Sequence, residues 1–313
     1  MSDDWVADAL EALSASLTPI LPTDTITQAG RKIVQADTIR LLALEDGVRL
    51  SDDIEFVHDM RVATRRMRSA LRLLAPYYRG KKVKRLLKSL RWLARLLGDV
   101  RDLDVLLHEL QKRDPIGLQH PITMANLARE RAHRRLSAGL DNEKFHKLVD
   151  QLTAFALDSK DALVGSAPLP VEVRHVVPVL IHQALSNVRA FDPLLDDETI
   201  PGFEALHALR ISFKGLRYIT AYFKDVLGNT ADAFISELKA VQDHLGTMND
   251  AVVFADKLAA HAAENPSEDA VADVIVTLRA EADTLARTFL PVWQRFNSRA
   301  VQRNLADALL VLR

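Results

Sequence analysis

Cationic side chains recur at helical spacing near the end of the first quarter of the chain. Steps of three and four residues separate His58, Arg61, Arg65, Arg68 and Arg72. At about 100° per residue, these side chains fall within an arc of roughly 80° on an α-helix. Guanidinium groups one turn apart can bind successive oxygens of a polyanion, because each offers planar, paired N–H donors. We call these five residues the first stripe.

Two further sets of residues repeat this chemistry. The second stripe, in the second half of the chain, consists of His207, Arg210, Lys214, Arg217 and Lys224. The third stripe, shortly after the first, consists of Lys84, Lys88, Arg91 and Arg95. An apolar series of equal spacing lies one residue before each of the first two: Val57, Met60, Thr64, Met67, Leu71 and Leu74, then Leu206, Leu209, Phe213, Leu216 and Phe223. The cationic lines are therefore expected to border a buried core.

The net charge of −1 is the sum of two unlike regions. Residues 58–101 hold fourteen Lys and Arg against Asp59 and Asp99, a net charge of +12, which leaves −13 for the rest. Like charges four residues apart each cost about 0.2–0.5 kcal/mol in a helix. A helix with such a line is expected to bind something anionic. The alternative is pairing with acids from the rest of the chain.

Other kinds of chemistry find little support in the sequence. With no Cys, disulfides, thiolate catalysis and Cys-ligated metal sites are excluded. No P-loop, GxGxxG, HExxH or paired-carboxylate motif is present. We interpret His58 and His207 as anion ligands that donate through a ring N–H, because their helical neighbours are cations that repel a metal ion. We therefore expect no catalytic residue, no metal and no cofactor.

Hydrophobic periodicity predicts an all-α protein. Apolar residues recur every three or four positions almost throughout, and no alternating strand pattern stands out. Helices are predicted near 3–17, 25–49, 53–75, 80–98, 100–112, 121–139, 143–160, 173–191, 203–227, 230–245, 249–264, 267–288 and 290–312. Asp52 and Glu55 are a predicted capping pair, and a loop is expected around Pro168 and Pro170. Asp102 and Asp250 are expected at helix starts, each paired with a stripe arginine.

Targeting and membrane signals are weak in this sequence. No uncharged apolar run approaches the roughly 18 residues that a membrane span needs. Residues 2–30 contain no Lys or Arg, so the basic start of a secretory signal is missing. We expect a cytoplasmic protein that does not interact with membranes.

An internal repeat relates the two halves of the chain. Shifted by 149 positions, residues 57–62 fall on residues 206–211, and Arg40 falls on Arg189. Shifted by 148, residues 97–102 fall on residues 245–250. Two similar helical halves that join near 160–172 are the expected architecture.

These motifs resemble the CHAD family, the conserved histidine α-helical domain. The pattern His-x-x-Arg-x-x-x-Arg-Arg-x-Arg at 58–68 has an echo at 207–217, and Leu-Gly-x-x-Arg-Asp at 97–102 has an echo at 245–250. The resemblance implies two halves, 20–165 and 170–313, each a four-helix-bundle type and related by pseudo-twofold symmetry within one composite domain. It also implies binding of inorganic polyphosphate, without catalysis, in a basic central cavity or pore.

The resemblance places the expected polyphosphate-binding residues on the stripes and on a few neighbours. They are His58, Arg61, Arg65, Arg66, Arg68, Arg72, Lys84, Lys88, Arg91, Arg95, His207, Arg210, Lys214, Arg217, Arg40 and Arg189. Expected partners are polyphosphate, polyphosphate granules and polyphosphate-metabolising proteins. We expect a stand-alone member, without the CYTH triphosphatase domain that is often fused to the family. The second half of this chain is also less basic, because Ser236 and Asp243 stand where the repeat places Lys88 and Arg95.

Three alternatives remain open at the level of sequence. Nucleic acid is another polyanion, although only Trp92, Tyr77 and Tyr78 lie near the basic block to stack on bases. An enzyme acting on phosphate anhydrides would use His58 or His207 as a base or phosphoryl acceptor. The stripes could also bind an acidic protein.

Overall fold

The chain is helical in every region that its computed structural model describes, namely residues 4–51, 53–113, 117–158, 171–195, 201–264 and 269–312. Within these ranges the only β-pairing is a single antiparallel bridge between Thr25 and Glu172. The predicted all-α class is confirmed. No described helix is both long enough and apolar enough to cross a membrane.

The chain divides into two compact units, Met1–Val173 and Arg174–Arg313. The helices up to the boundary are α1 (Asp4–Ser16), α2 (Ile26–Ala43), α3 (Glu45–Leu50), α4 (Ile54–Leu73), α5 (Gly80–Arg113), α6 (Gln119–Leu140) and α7 (Glu143–Ala156). Those from the boundary onward are α8 (Val173–Arg189), α9 (Phe203–Tyr222), α10 (Lys224–Leu227), α11 (Thr230–Glu264), α12 (Asp269–Arg287), α13 (Phe289–Phe296) and α14 (Arg299–Leu310). Short 3-10 turns occupy Ala75–Tyr77 and Asp192–Leu194.

Helix α4 packs against both α2 and α5 in the first unit. The apolar series predicted along α4 is buried, from Val57 to Leu74. The corresponding series of α9, from Leu206 to Leu216, is buried as well, and so is Phe223 just after that helix. The spacing of apolar residues therefore identified the buried faces of α4 and α9, the two helices that carry the stripe histidines.

Side-chain caps fix where several of these helices begin. The hydroxyl of Thr25 accepts from the backbone N–H of Gln28, whose side chain accepts in turn from the N–H of Thr25, which forms a capping box on α2. The carboxylate of Asp53 accepts from the N–H of Glu55 at 2.8 Å and caps α4. The predicted partner Asp52 and the loop around Pro168 and Pro170 lie outside the described residues.

Two predicted helix breaks are wrong. The predicted pair 80–98 and 100–112 forms the single helix α5, and the pair 230–245 and 249–264 forms the single helix α11. In α5 the buried series runs through Leu93, Leu97 and Val100 without a change of spacing, so packing continues across Gly98. A glycine inside a helix costs only about 1 kcal/mol, which such packing outweighs. Asp102 and Asp250 are therefore interior helix residues, not helix starts.

Three helices predicted as single are divided in the structure. The segments 25–49, 203–227 and 290–312 become α2 with α3, α9 with α10, and α13 with α14. The last division has a clear local cause. Ser298 adopts an extended conformation, and its side chain accepts from the N–H of Val301, which starts a new helix.

Candidate functional site

Helix α4 carries the first stripe along the edge of its buried face. His58, Arg61, Arg65 and Arg68 are half-buried, whereas Arg72 near the end of the helix is exposed. Aliphatic stems can therefore lie on apolar surface while the charged ends reach solvent. The predicted placement of this stripe beside the core is confirmed.

The third stripe lies on α5, which packs against α4, and its four members are all exposed. The pKa of Arg68 is lowered below its ordinary value, chiefly by burial and then by repulsion from Arg72, Arg91 and Arg61. Its Nε is buried and has no hydrogen-bond partner among the described residues. We call Arg61, Arg68, Arg72 and Arg91 the arginine cluster. Helices α4 and α5 thus bring positive charges together, and their mutual repulsion is not fully offset by negative charges.

Two ion pairs with acidic side chains lie at the edge of this cluster. Nη2 of Arg61 lies 3.9 Å from Oδ1 of Asp102, and Nη1 of Arg101 lies 3.6 Å from Oε1 of Glu55. Both separations exceed hydrogen-bond length. The side chains of Arg61 and Asp102 are 38% and 54% exposed, and an exposed pair of this kind contributes at most about 1 kcal/mol. The predicted ion pair between Asp102 and a stripe arginine is confirmed.

His58 stands where the first stripe meets α5. Its pKa is lowered, first by burial and then by the positive charge of Arg101, against the opposing effects of Glu55 and Asp59. A neutral imidazole can donate one ring N–H to an anion and gains a second donor when protonated. The potential ligand atoms of Glu55, His58 and Asp59 lie within 4.8 Å of one another, a spacing that a metal ion could use. Arg101 already contacts Glu55 there, so a cation would have to compete with its guanidinium.

The second unit repeats part of this geometry on α9 and α11. Nη2 of Arg210 lies 3.7 Å from Oδ1 of Asp250, the counterpart of the Arg61–Asp102 pair. The Nε of Arg210 is buried without a hydrogen-bond partner among the described residues. Nδ1 of His207 lies 2.7 Å from Oδ1 of Asn249, so that nitrogen donates to the amide oxygen. The predicted Asp250 ion pair is thus confirmed.

The remaining second-stripe cations are less concentrated. Lys214 and Arg217 are half-buried on α9. The guanidinium of Arg217 lies 5.8 Å from the ring centre of Tyr218, a cation–π contact. Lys224 lies beyond the end of α9, in α10, where Nζ pairs with Asp232 at 2.8 Å. Asp232 occupies the position that the repeat gives Lys84, so the second unit carries an acid where the first carries a cation.

Three predicted site residues lie apart from the stripes. Nε of Arg66 contacts both carboxylate oxygens of Asp37 on α2, at 2.9 and 3.1 Å. Nη1 of Arg40 lies 3.5 Å from the same carboxylate. Arg189 is exposed at the end of α8 and pairs with Asp192 at 3.6 Å. Arg40 and Arg66 therefore form a group of their own between α2 and α4.

Sequence reasoning missed two parts of this arrangement. Arg101 was counted in the basic block but not placed beside His58, because α5 was expected to break just before it. Asp37 is not among the predicted site residues, although an acid between Val34 and Leu41 on the buried face of α2 interrupts an apolar series. An acid at such a position signals a buried cationic partner.

Comparisons with known proteins identify the family and support the fold. The family model of the CHAD domain matches residues 32–259, and the chain belongs to the CHAD domain family. Among solved structures, the chain is similar to the CHAD domain from the plant Ricinus communis, with a TM-score of 0.66 and 24% identity over 94% of this chain and 95% of that one. It is also similar to PptA from Streptomyces chartreusis, with a TM-score of 0.59 and 19% identity over 86% and 99% of the two chains. At these identities the two structures support the fold alone.

Two curated relatives come from strains of Mycobacterium tuberculosis, CDC 1551 / Oshkosh and ATCC 25618 / H37Rv. Each is described as an uncharacterized protein and is 30% identical over 264 residues, which cover 80% of this chain and 48% of the relative. The chain spans about half the length of these relatives.

Proposed function

We propose that this protein binds inorganic polyphosphate through the stripes and does not transform it chemically. The observation that carries the proposal is the arginine cluster. The pKa of Arg68 is lowered first by burial and then by repulsion from Arg72, Arg91 and Arg61, and this repulsion falls when an anion binds among them. Membership of the CHAD domain family supports the same ligand. Association with polyphosphate granules in the cytoplasm is part of the proposal.

A polyphosphate chain suits two neighbouring lines of cations. It carries about one negative charge per phosphate, and the cations recur about once per helical turn of 5.4 Å. Arg68 and Arg72 on α4 offer paired donors to phosphate oxygens, and Lys84 and Lys88 on α5 offer movable point charges. Each contact is weak alone, so long chains bind tightly and orthophosphate binds weakly.

The first unit supplies most of the affinity in this proposal. Its third stripe is exposed and entirely basic, whereas the matching positions of α11 include Asp232, Ser236 and Asp243. An added acid repels a polyanion, and serine contributes no charge. We expect charge reversal in the first unit to weaken binding more than the same change in the second.

Nucleic acid is the second candidate ligand, and the aromatic residues near the stripes argue against it. The side chain of Tyr78 is buried, and its hydroxyl donates to the carbonyl of Thr27 at 2.6 Å. Tyr77 and Trp92 are half-buried. Single-stranded nucleic acids gain about 1–3 kcal/mol per base from exposed aromatic platforms, which these residues do not provide well.

The decisive experiment is a binding titration with polyphosphates of defined length at two salt concentrations. We expect affinity to rise with chain length and to fall steeply with salt, because binding releases counterions. Equal competition by orthophosphate and a long chain, at equal total phosphate, would contradict the proposal. So would tighter binding of single- or double-stranded nucleic acid of similar length.

A pair of variants tests where the chain binds. Arg72→Glu with Arg91→Glu reverses two exposed residues of the cluster and is expected to abolish binding. The matched control, Arg299→Glu with Arg303→Glu, makes the same change of charge on the exposed surface of α14. An equal loss in both variants would show that net charge, not the cluster, determines binding.

Phosphate release from polyphosphate distinguishes binding from catalysis. We expect release no faster than in a protein-free blank, in the wild type and in His58→Ala alike. Release by the wild type that disappears in His58→Ala would instead establish an enzyme that uses this imidazole.

A further inference from the structure

A pocket of about 360 Å³ lies between α2 and α4. Its apolar lining comes from Ala43, Leu44, Val62 and Ala63. We call it the α2–α4 pocket. A volume of this size suits a small molecule, not an extended chain.

Charged side chains stand around this apolar lining. Arg40 and Arg66 line the pocket, and both contact the carboxylate of Asp37. That carboxylate is 1% exposed, whereas the side chain of Arg40 is 62% exposed. A buried acid therefore orients two guanidinium groups at the pocket. Such orientation lowers the entropy that is lost when an anion binds to them.

The buried carboxylate of Asp37 carries an energetic cost. Burial raises its pKa, and this effect exceeds the opposing attraction of Arg66 and Arg40. The folded state thus holds the ionised form less favourably than water does. Residues with such perturbed ionisation beside a pocket often mark a functional site.

The internal repeat shows that this arrangement is specific to the first unit. Shifted by 149 positions, Asp37 falls on Ser186 and Arg66 falls on Gly215. Only the arginine at position 40 has a charged counterpart, Arg189. The aligned segment of the second half therefore has no equivalent of the buried acid and its main partner. The contacts of Asp37 with Arg40 and Arg66 are therefore not a structural feature that both halves of the repeat share.

We propose that the α2–α4 pocket binds a small organic anion, a carboxylate or phosphate monoester with a compact apolar body. Arg40 and Arg66 bind the anionic group, and the apolar lining covers the body. The exposed carboxylate of Asp59, also at the pocket, repels a second anionic group. This selects for a ligand with a single anionic end and separates the pocket from the stripes, which favour multiply charged chains.

Fluorine NMR of small ligands tests this proposal directly. The probes are 4-fluorobenzoate and 4-fluorophenyl phosphate, with neutral 4-fluorobenzamide as the comparison. We expect at least one anionic probe to bind saturably while the amide does not. The stronger of the two identifies carboxylate or phosphate monoester as the preferred class. A saturating long polyphosphate is expected to leave the bound probe in place.

Repeat-related variants provide matched controls. Arg40→Ala and Val62→Phe are expected to weaken probe binding about tenfold or more, by removal of a charged contact and by filling of the pocket. Arg189→Ala and Ile211→Phe change the aligned positions of the second half and are expected to have no effect. Circular dichroism and the polyphosphate affinity of Val62→Phe check that α4 remains folded.

Several results would overturn the proposal. It is wrong if neither anion binds, if the amide binds equally well, or if the control variants weaken binding as much as Arg40→Ala. Displacement of the probe by polyphosphate would show that the probe binds to the stripes and not in the α2–α4 pocket. Displacement would itself show that polyphosphate binds, and the other results leave polyphosphate binding untouched, so the two proposals fail separately.

Discussion

Neutralising one arginine of the cluster is expected to stabilise the fold while it weakens ligand binding. Arg91 is exposed on α5 and contributes to the lowered pKa of Arg68 on α4. It also follows Lys88 by three residues and precedes Arg95 by four. Arg91→Gln removes these repulsions without removing a buried side chain. Arginine and glutamine have similar helix propensities, so the backbone contributes little to the difference.

The size of the stabilisation follows from the neighbours of Arg91. Two unit charges roughly 7 Å apart repel by about 0.6 kcal/mol in water. Each like-charge pair three or four residues apart in a helix costs about 0.2–0.5 kcal/mol. With Arg68 and the two helical neighbours together, Arg91→Gln is expected to raise the free energy of unfolding by about 1 kcal/mol at low salt. A lost arginine–phosphate contact lowers polyphosphate affinity about tenfold or more.

Urea denaturation at low and high salt measures the stability effect. Urea is uncharged, so it does not screen the repulsion that is being measured. We expect the gain to shrink as salt rises, because the screening length falls from about 30 Å at 0.01 M to about 3 Å at 1 M. The matched control is Lys239→Gln, which changes the repeat-related position of α11. Lys239 precedes Asp243 by four residues, so its neutralisation is expected to give no stability gain.

Three outcomes would refute this reasoning. A loss of stability in Arg91→Gln at low salt would show that the arginine is compensated by acids. A gain that does not depend on salt would mean that repulsion is not its cause. An equal gain in Lys239→Gln would remove the distinction between the two units.

The remaining predictions concern a histidine, an acid and a glycine. Burial and Arg101 lower the pKa of His58, and a bound polyanion is expected to raise it. Binding then takes up a proton, so affinity rises as pH falls into the range in which the imidazole protonates. Calorimetry in buffers of different ionisation enthalpy detects this uptake, which His58→Gln should abolish. Asp102→Asn is expected to tighten polyphosphate binding two- to fivefold, because it releases Arg61. The control is Asp99→Asn, which removes the same charge from the same helix and is expected to have a smaller effect. Equal effects of the two variants in a binding titration would contradict this prediction. Gly98→Ala is expected to raise the free energy of unfolding by about 0.5–1 kcal/mol, because alanine favours a helix interior and the added Cβ meets only the Arg61 side chain, at 3.9 Å. A lower stability of this variant in urea denaturation would contradict an interior helix position for Gly98.

The buried faces of the helices could be predicted because helical periodicity leaves a direct trace in the sequence. The series from Val57 to Leu74 and the cations one residue later require no knowledge of neighbouring helices. Helix ends were harder to predict. Gly98 looks like a stop signal, but whether a glycine ends a helix depends on whether packing continues beyond it, as it does at Val100.

The contacts of individual cations could be predicted only in part. The pairing of Asp102 with a stripe arginine follows from its spacing and charge, and the repeat then suggests the Asp250 pair as well. Arg66 follows Arg65 directly and looks equivalent to it in the sequence. It faces α2 instead, because one residue turns the side chain by about 100° toward a different neighbour.

The sequence alone determined that this protein is helical, that its halves repeat, and that lines of cations border buried faces. Each of these properties depends on residue type and on spacing along a single helix. The tertiary structure decided which charges meet. It brings Arg91 of α5 to Arg68 of α4, Arg101 to His58, and Asp37 to Arg66. Electrostatic energy depends on distances between helices, which periodicity within one helix does not specify.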